Sequence, residues 1–249
     1  MSEAARFALL PRLGLEPTVG DLVREALDTA FAAAEATGRE PITALDAGCG
    51  RVSALAAYRV RIGRFIGADV HRPPPGSLPH LDEFAQVDVC GSADAFAPGT
   101  FDVVLSSFTV EHFADPAAAF RNLRHWLRPG GSLVLTTVNR RHPFVAAYLG
   151  LPAPVRAPLQ RFVKATAADA HPLVGACNSV PALRTALLGA GFADVDVRTA
   201  GHLARAWGRR WPTFVLGTLG DLAARPFPGA RSTIVAVAAA PADTEAARA

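Results

Sequence analysis

The sequence predicts an α/β fold: a doubly wound, mostly parallel seven-stranded sheet with helices on both of its faces. Short apolar runs of strand length alternate with segments of helical period along most of the 249 residues, which is typical of βαβ units. The apolar run 42–47 is bounded by a turn with two glycines, as expected for a central parallel strand. Half of the residues are apolar, so one hydrophobic core in one domain is the natural expectation.

The first elements are predicted from apolar periodicity and capping residues. Apolar residues recur on one face between Leu22 and Ala34, and Thr18 with Asp21 makes a capping box, so we expect a helix from about 18 to 38. Beyond this helix the sequence predicts strands at 42–47, 64–69 and 84–89, a crossover helix at 52–60 and an irregular, proline-rich stretch at 72–79.

The second half continues the alternation and then interrupts it. A strongly apolar strand is predicted at 100–107, a helix at 115–127, a tight turn at 128–131 and a strand at 132–137. The alternation stops from about 139 to 179 and resumes with a helix at 180–190 and strands at 193–199 and 231–239. We therefore expect a single domain over 1–240, with an insertion at about 139–179 and a disordered tail at 241–249.

The turn after the first strand reads Asp46-Ala47-Gly48-Cys49-Gly50 and opens the crossover helix. Its glycines allow close approaches that a side chain would forbid, and the first N–H groups of the helix favour an anionic group there. Two nucleotide-cofactor patterns fit the turn. One is the dinucleotide fingerprint, with Ser53 as its last small residue, and the other is an acidic residue before two spaced glycines. A plain structural turn also fits, so the turn alone does not choose.

Several motifs in a fixed order favour the second pattern. They are Leu45-Asp46-Ala47-Gly48-Cys49-Gly50, Asp69, Thr100-Phe101-Asp102-Val103-Val104, Val110-Glu111-His112-Phe113-Ala114-Asp115-Pro116, Leu127 to Leu135, and Ala190-Gly191-Phe192. This order resembles the class I S-adenosylmethionine-dependent methyltransferases, in particular the small-molecule subgroup with Glu-His after strand four. The resemblance implies a Rossmann-like methyltransferase fold and S-adenosyl-L-methionine as the cofactor.

The resemblance places the cofactor at the carboxyl ends of the first four strands. Asp69 ends the second strand, where a carboxylate accepts hydrogen bonds from ribose hydroxyls in methyltransferases and in NAD enzymes alike. Asp88 is placed to accept from an adenine amino group, and the Ser106 carbonyl to accept from a methionyl amino group. Asp46 suits an amino-acid end and a sulfonium charge better than a pyrophosphate. The expected cofactor-binding residues are Asp46, Gly48, Cys49, Gly50, Asp69, Val70, Asp88, Val89 and Ser106.

The candidate catalytic residue is His112, just beyond the fourth strand and close to where a transferred methyl should lie. Methyl transfer from a sulfonium is an in-line displacement, so a general base helps only if the acceptor must lose a proton early. A buried histidine that fixes the loop is the structural alternative for His112. His142 and His171 lie in the insertion, where we expect them to be exposed rather than catalytic.

Composition excludes several other kinds of site and partner. The net charge is +3 and the arginines are scattered, which does not favour a nucleic acid partner. Cys49, Cys90 and Cys177 are far apart and include no C-x-x-C, so no metal site is predicted and a reducing compartment is favoured. The N-terminus lacks a convincing secretion signal and no apolar run reaches membrane-spanning length. The expected location is the cytoplasm.

The predicted function is transfer of a methyl group to a small molecule, at oxygen by what the resemblance implies. The apolar residues of the insertion predict a partly helical cover and an apolar acceptor pocket, while Arg140, Arg141 and Arg156 would instead steer an acidic acceptor. One alternative is an NAD(P)-dependent oxidoreductase, which the absence of a Tyr-x-x-x-Lys pair disfavours. Another is a non-catalytic module that binds the cofactor, which Val52, standing where family turns often carry glycine, leaves open.

Overall fold

The computed structural model describes residues 2–74, 76–152, 154–156, 158 and 174–242. Its strands are β1 (Thr43–Ala47), β2 (Arg64–Asp69), β3 (Glu83–Gln86), β4 (Phe101–Ser107), β5 (Leu127–Val138), β6 (Ala193–Ala200) and β7 (Thr233–Ala239). They form one seven-stranded sheet in the order β3-β2-β1-β4-β5-β7-β6. β7 runs antiparallel to β5 and β6, and the other neighbouring pairs are parallel. The predicted doubly wound, mostly parallel sheet is confirmed.

The strand order reverses at β1, which pairs in parallel with β2 on one side and with β4 on the other. Connections leave this point toward opposite edges of the sheet, so a crevice opens beyond the carboxyl ends of β1 and β4. In open α/β sheets this crevice is the usual ligand site. The glycine turn of the sequence lies directly there.

Helices cover both faces of the sheet. The longer ones are α2 (Val19–Ala36), α3 (Pro116–Trp126), α4 (Pro143–Gly150), α5 (Val180–Gly189) and α7 (Trp211–Ala224), and the short ones are α1 (Glu3–Phe7) and α6 (Leu203–Ala206). α2 packs on one face, where Phe31 is fully buried with Phe65. α3 and α5 pack on the other face around Trp126 and Leu183. No helix in the described part of the chain is both long and apolar enough to cross a bilayer.

Three elements differ from the sequence-based expectation. The first crossover is a 3-10 helix, Ala54–Arg61, which rises about 2.0 Å per residue and so covers more of the distance back along β1 than an α-helix would. β3 ends at Gln86 instead of 89, and beyond it the Asp88 side chain accepts from the Cys90 N–H in a local turn. The turn predicted at 128–131 belongs to β5, since Gly130 and Gly131 exchange backbone hydrogen bonds with Ala240.

The segment between β6 and β7 carries α6 and α7, where no element is predicted from sequence. α7 is apolar on several sides, so its sequence shows no clear helical period. The N-terminus docks on this segment through Arg6, whose buried guanidinium donates to the carbonyls of Gly208 and Arg209 at 2.9 Å each. Together these pieces form a cap beyond the carboxyl ends of β5 and β6.

The capping box at the start of α2 is present. Thr18 accepts from the Asp21 N–H at 3.2 Å, and the Asp21 carboxylate accepts from the Thr18 N–H at 2.9 Å. The Thr18 hydroxyl also donates to this carboxylate at 2.7 Å, and its bond together with that of the Thr18 N–H holds the carboxyl pKa of Asp21 below its usual value. Both partners satisfy backbone N–H groups that a helix start leaves without acceptors.

We expect Thr18→Ala to lower the free energy of unfolding by about 1 kcal/mol, because the Asp21 N–H loses its side-chain acceptor. For a chain of this size that corresponds to a melting temperature lower by roughly 2–4 °C. The matched control is Thr29→Ala on the same helix, whose hydroxyl bonds only the Glu25 carbonyl. Equal effects of the two substitutions in thermal melts would contradict the capping role.

Candidate active site

The turn after β1 is built from backbone hydrogen bonds and positive φ angles. Gly48 and Gly50 have φ values of +83° and +50°, which side chains rarely tolerate. The N–H groups of Gly48 and Cys49 both donate to the carbonyl of Ala68, at 2.7 and 3.1 Å. A Cβ on Gly48 would lie 2.3 Å from the hydroxyl oxygen of Thr109. Glycine is therefore required at position 48 for β1 to meet the loop after β4.

Asp69 lies at the end of β2 with its carboxylate against the glycine turn. Oδ2 accepts from the Gly50 N–H at 3.0 Å and Oδ1 from the His71 N–H at 2.9 Å. A carboxylate has about four acceptor positions, so these two bonds leave room for two hydroxyl donors. Val70 follows it and is exposed. The carboxylate is thus oriented by backbone and still able to accept from a ligand.

Asp46 is a buried carboxylate, 1% exposed, near the carboxyl end of β1. Among the described residues its Oδ1 has no hydrogen-bond partner. Burial, with the nearby charge of Asp69, raises its pKa to about 7 although a hydrogen bond with Ser53 opposes the shift. Burial raises the pKa of Cys49 to about 12, and the two carboxylates add to it, so this thiol stays protonated and is no nucleophile.

Asp88 and Val89 lie beyond the end of β3, on the far side of β2 from the glycine turn. The last residue pair between β2 and β3 is Asp69 with Gln86. Asp88 comes two residues after Gln86, so it lies at the carboxyl-end edge of the sheet, where Asp69 also lies. Asp88 is exposed, and its Oδ1 accepts from the Cys90 N–H at 2.8 Å. Val89 is buried, and Asn122 donates to its carbonyl.

The end of β4 carries Ser106 and a strained aromatic residue that sequence analysis did not identify. Ser106 is fully buried, and its hydroxyl has no partner in the described part of the chain. Phe108 has a φ of +53°, unusual for a bulky residue and typical of functional sites. Its N–H donates to the carbonyl and the hydroxyl of Thr136, and its ring stacks on His202 at 5.3 Å. Phe108 therefore joins the loop after β4 to the cap.

The loop after β4 is anchored from behind by Glu111. This carboxylate is 3% exposed and accepts from the Thr137 hydroxyl at 2.9 Å. Asn178 donates to the same hydroxyl at 2.7 Å, and the N–H groups of Val174 and Gly175 donate to the Glu111 carbonyl. The residue after it, His112, is partly exposed at the end of a 3-10 turn, Val110–His112. His112 is thus presented from a fixed backbone.

The expected exposure of His142 is wrong. Its side chain is 1% exposed, and its Nδ1 accepts from the Phe144 N–H and so caps α4. The Nε2 atom lies 3.3 Å from the Gly220 carbonyl on α7. Burial lowers its pKa, so the ring is neutral and structural at physiological pH. His171 lies outside the described residues.

The arrangement has two halves. The first consists of the glycine turn with Asp46, Asp69 and Asp88, which offers acceptors to a cationic or hydroxyl-bearing cofactor. The second, beyond β4, brings Phe108 and His202 together and carries His112 on the same edge. No group of side chains able to hold a metal ion occurs in the described ranges. His202 follows β6, so its place at the same sheet edge was predictable once that strand was assigned, whereas the φ angle of Phe108 has no signal in the sequence.

Comparisons with known proteins agree with this geometry. A family model described as a methyltransferase domain matches residues 20–197. A ubiquinone biosynthesis O-methyltransferase of Cereibacter sphaeroides is 36% identical over 118 residues, which are 45% of this chain and 47% of that protein. One from Parvibaculum lavamentivorans is 34% identical over 107 residues, covering 41% of this chain and 42% of that protein. The matches span less than half the length of these relatives.

Solved structures share the fold at low sequence identity. Geranyl diphosphate C-methyltransferase from Streptomyces coelicolor superposes with a TM-score of 0.54 and 15% identity, covering 95% of this chain and 83% of that chain. Phosphoethanolamine N-methyltransferase 2 from Haemonchus contortus superposes with a TM-score of 0.53 and 15% identity, covering 86% of this chain and 52% of that chain. The predicted Rossmann-like methyltransferase fold is confirmed by these similarities.

The raised pKa of Asp46 predicts how stability depends on pH. Its folded pKa of about 7 exceeds the ordinary aspartate value of 3.8, so the neutral form is favoured in the fold and the stabilisation is lost as pH rises through 7. Asp46→Asn keeps the shape and stays neutral. We expect the ligand-free variant to gain melting temperature relative to the native protein as pH rises from 5 to 8.

The control for loss of one negative charge is Asp196→Asn, an exposed carboxylate on the edge strand β6. Its melting temperature difference from the native protein should stay constant across the same pH range. A constant difference for Asp46→Asn as well would mean that Asp46 is ionised in the free protein.

Proposed function

We propose that this chain, which belongs to the methyltransferase-domain family, transfers a methyl group from S-adenosylmethionine to a hydroxyl oxygen of a small molecule. The observation that carries the proposal is the glycine turn with a carboxylate bonded to it at the switch point of the sheet. The names of the curated relatives favour oxygen as the methylated atom. The family match does not favour an NAD(P)-dependent oxidoreductase.

The residues present fit this cofactor. Asp69 keeps acceptor positions for the ribose hydroxyls after its two backbone bonds. Asp88 uses one oxygen on the Cys90 N–H and has the other for an adenine amino group. Asp46 and Ser106 each have a buried polar atom without a partner among the described residues. We assign the methionyl part of the cofactor to this end of the site. Val52 is 87% exposed, so its side chain does not fill the turn.

Asp46 supports the positive end of this cofactor electrostatically. The cofactor supplies the methyl group as a sulfonium electrophile and also carries an ammonium group. A cation near a buried carboxylate favours its ionised form, so cofactor binding would release the Asp46 proton to solvent and pair the carboxylate with the cation. The free energy of this pairing depends on the low exposure of Asp46, since water would screen it.

The reaction itself requires positioning and one proton transfer. The cofactor would supply the methyl group, and the site would hold the acceptor oxygen in line with the sulfur–carbon bond that it replaces. We assign His112 as the base, with an imidazole nitrogen that takes the hydroxyl proton of the acceptor. The buried bonds of Glu111 hold the backbone of this turn, which carries His112, in place during the step.

The acceptor pocket is assigned to the cap, within one domain that extends over residues 1–240. The predicted cover at 139–179 contributes α4, whose Phe144 ring stacks on Trp207 at 6.1 Å and lies against Gly220. α4 therefore closes the site together with α6 and α7 and not alone. Its apolar residues favour an apolar acceptor over an acidic one steered by Arg140, Arg141 and Arg156. Parts of two predictions lie outside the described residues. They are Leu159, Phe162 and Val163 of the predicted apolar cover, and the predicted tail from 243 onward.

A cytoplasmic location forms part of the proposal. Cys49, Cys90 and Cys177 are free thiols in the structure, and burial raises the pKa of all three. Free thiols persist where glutathione and thioredoxin keep the compartment reduced.

Cofactor binding is tested with S-adenosylhomocysteine. At about 100 times its dissociation constant it should stabilise the fold by about 2.7 kcal/mol, and NAD should not. We expect Asp69→Ala to weaken this binding by about one to two decades, because charge-assisted hydrogen bonds worth roughly 1.5–3 kcal/mol are lost. Calorimetric titration measures both. The control Asp196→Ala, on the edge strand β6 far from β2, should bind like the native protein. Stabilisation by NAD instead would overturn the cofactor assignment.

Methyl transfer is tested by comparing small alcohols and phenols with amines as acceptors. The products are identified by mass spectrometry. We expect transfer to hydroxyls, and His112→Gln should lower kcat by about 10²–10⁴ without changing cofactor affinity. The loss should shrink with acceptors whose hydroxyl is already ionised, because they need no base. The control is His125→Gln, an exposed histidine on α3. Full activity of His112→Gln would exclude it as the base, and transfer only to amines would refute the oxygen assignment.

A further inference from the structure

α7 presents an apolar face to solvent. Trp211, Val215, Leu216 and Leu219 are 51%, 37%, 48% and 57% exposed. Their spacing of four, five and eight residues from Trp211 places them in one stripe along about two turns of the helix. Single exposed apolar residues are ordinary on a surface, but a continuous stripe on one helix marks an interaction site.

The stripe is fixed in place because the opposite side of α7 is fully used by the fold. Phe214 and Asp221 are buried there, and Asp221 accepts from the N–H groups of His202 and Ala204. A Cβ on Gly217 would lie 2.6 Å from the Leu203 carbonyl, so α7 sits as close to α6 as its backbone allows. The helix therefore cannot rotate to bury its outer stripe without losing these contacts.

Arginines flank α7 in the sequence at both of its ends. Arg205, Arg209 and Arg210 precede α7 and Arg225 follows it, and all four are exposed. The only acidic residue between 203 and 225 is the buried Asp221. An exposed apolar helix face with cations at both helix ends and a tryptophan at its start is typical of helices that lie in the plane of a lipid interface.

We propose that α7 docks the protein on the surface of an anionic lipid bilayer. The helix has 14 residues and is about 21 Å long, shorter than the hydrocarbon core, so it lies in the interface and does not span it. The apolar stripe enters the acyl boundary, and the arginines reach the phosphates of the head groups.

The charges favour a bilayer over a second copy of the chain. In a two-fold contact between two α7 helices, the arginine-rich ends would meet arginines of the other copy, and like charges repel. Anionic lipids supply the complementary charge at both ends of the helix. The proposal does not depend on the proposed reaction, because docking needs neither cofactor nor acceptor.

The test is cosedimentation with vesicles of equimolar phosphatidylcholine and phosphatidylglycerol. We expect the native protein to partition onto them, with weaker partition at high salt and onto pure phosphatidylcholine vesicles. Leu219→Asp should reduce the partition coefficient roughly tenfold or more. The matched control is Leu188→Asp, which changes a leucine of similar exposure, 52%, on α5. It should partition like the native protein.

Equal losses in the two variants, or no partition of the native protein, would overturn the proposal. Light scattering in solution runs in parallel. A dimer that Leu219→Asp dissociates, without partition onto vesicles, would assign the stripe to a second copy and also overturn the proposal. Thermal melts of both variants verify that the fold is intact.

Discussion

The site depends on one shared hydrogen-bond acceptor, the carbonyl oxygen of Ala68. The N–H groups of Gly48 and Cys49 both donate to it, which ties the turn after β1 to the end of β2. The next residue, Asp69, then accepts from the Gly50 N–H at 3.0 Å. Backbone groups thus position the turn and the carboxylate relative to each other before a ligand binds, and such preorganisation reduces the entropy lost on binding. A side chain at position 48 would clash with Thr109 and push this turn away from the loop after β4.

Two buried carboxylates differ in what satisfies them. Asp221 accepts from the N–H groups of His202 and Ala204 and from the Ser232 hydroxyl, so its oxygens hold the segment between β6 and β7 together. Asp46 is as deeply buried, yet its Oδ1 has no partner in the described part of the chain. Burial raises the pKa of both groups. The satisfied carboxylate is structural, and the unsatisfied one is where a cationic ligand gains most.

Local signals in the sequence determined what could be predicted. The strands, the glycine turn and the capping box at Thr18 depend on neighbours in the chain, and the structure has them. Two features depend on partners 60 or more residues away in the chain: the pairing of 128–131 with Ala240 and the burial of His142 against α7. A third, the positive φ of Phe108, is backbone strain that other contacts support. No local pattern reports such partners. The helices between β6 and β7 were missed for a related reason, since their apolar residues serve two surfaces at once.

The residues proposed to bind the cofactor lie within the matched family range, whereas much of the cap lies outside it. The family match covers residues 20–197, which include the glycine turn, Asp69 and the loop after β4. The cap adds α1, α6 and α7 from outside that range, joined by Arg6 to the carbonyls of Gly208 and Arg209 and by Phe144 stacked on Trp207. Residues that select an acceptor must contact it, and the cap is what covers that side of the sheet. In the proposed assignment of the acceptor to the cap, part of the acceptor's contacts would therefore come from segments outside the matched range.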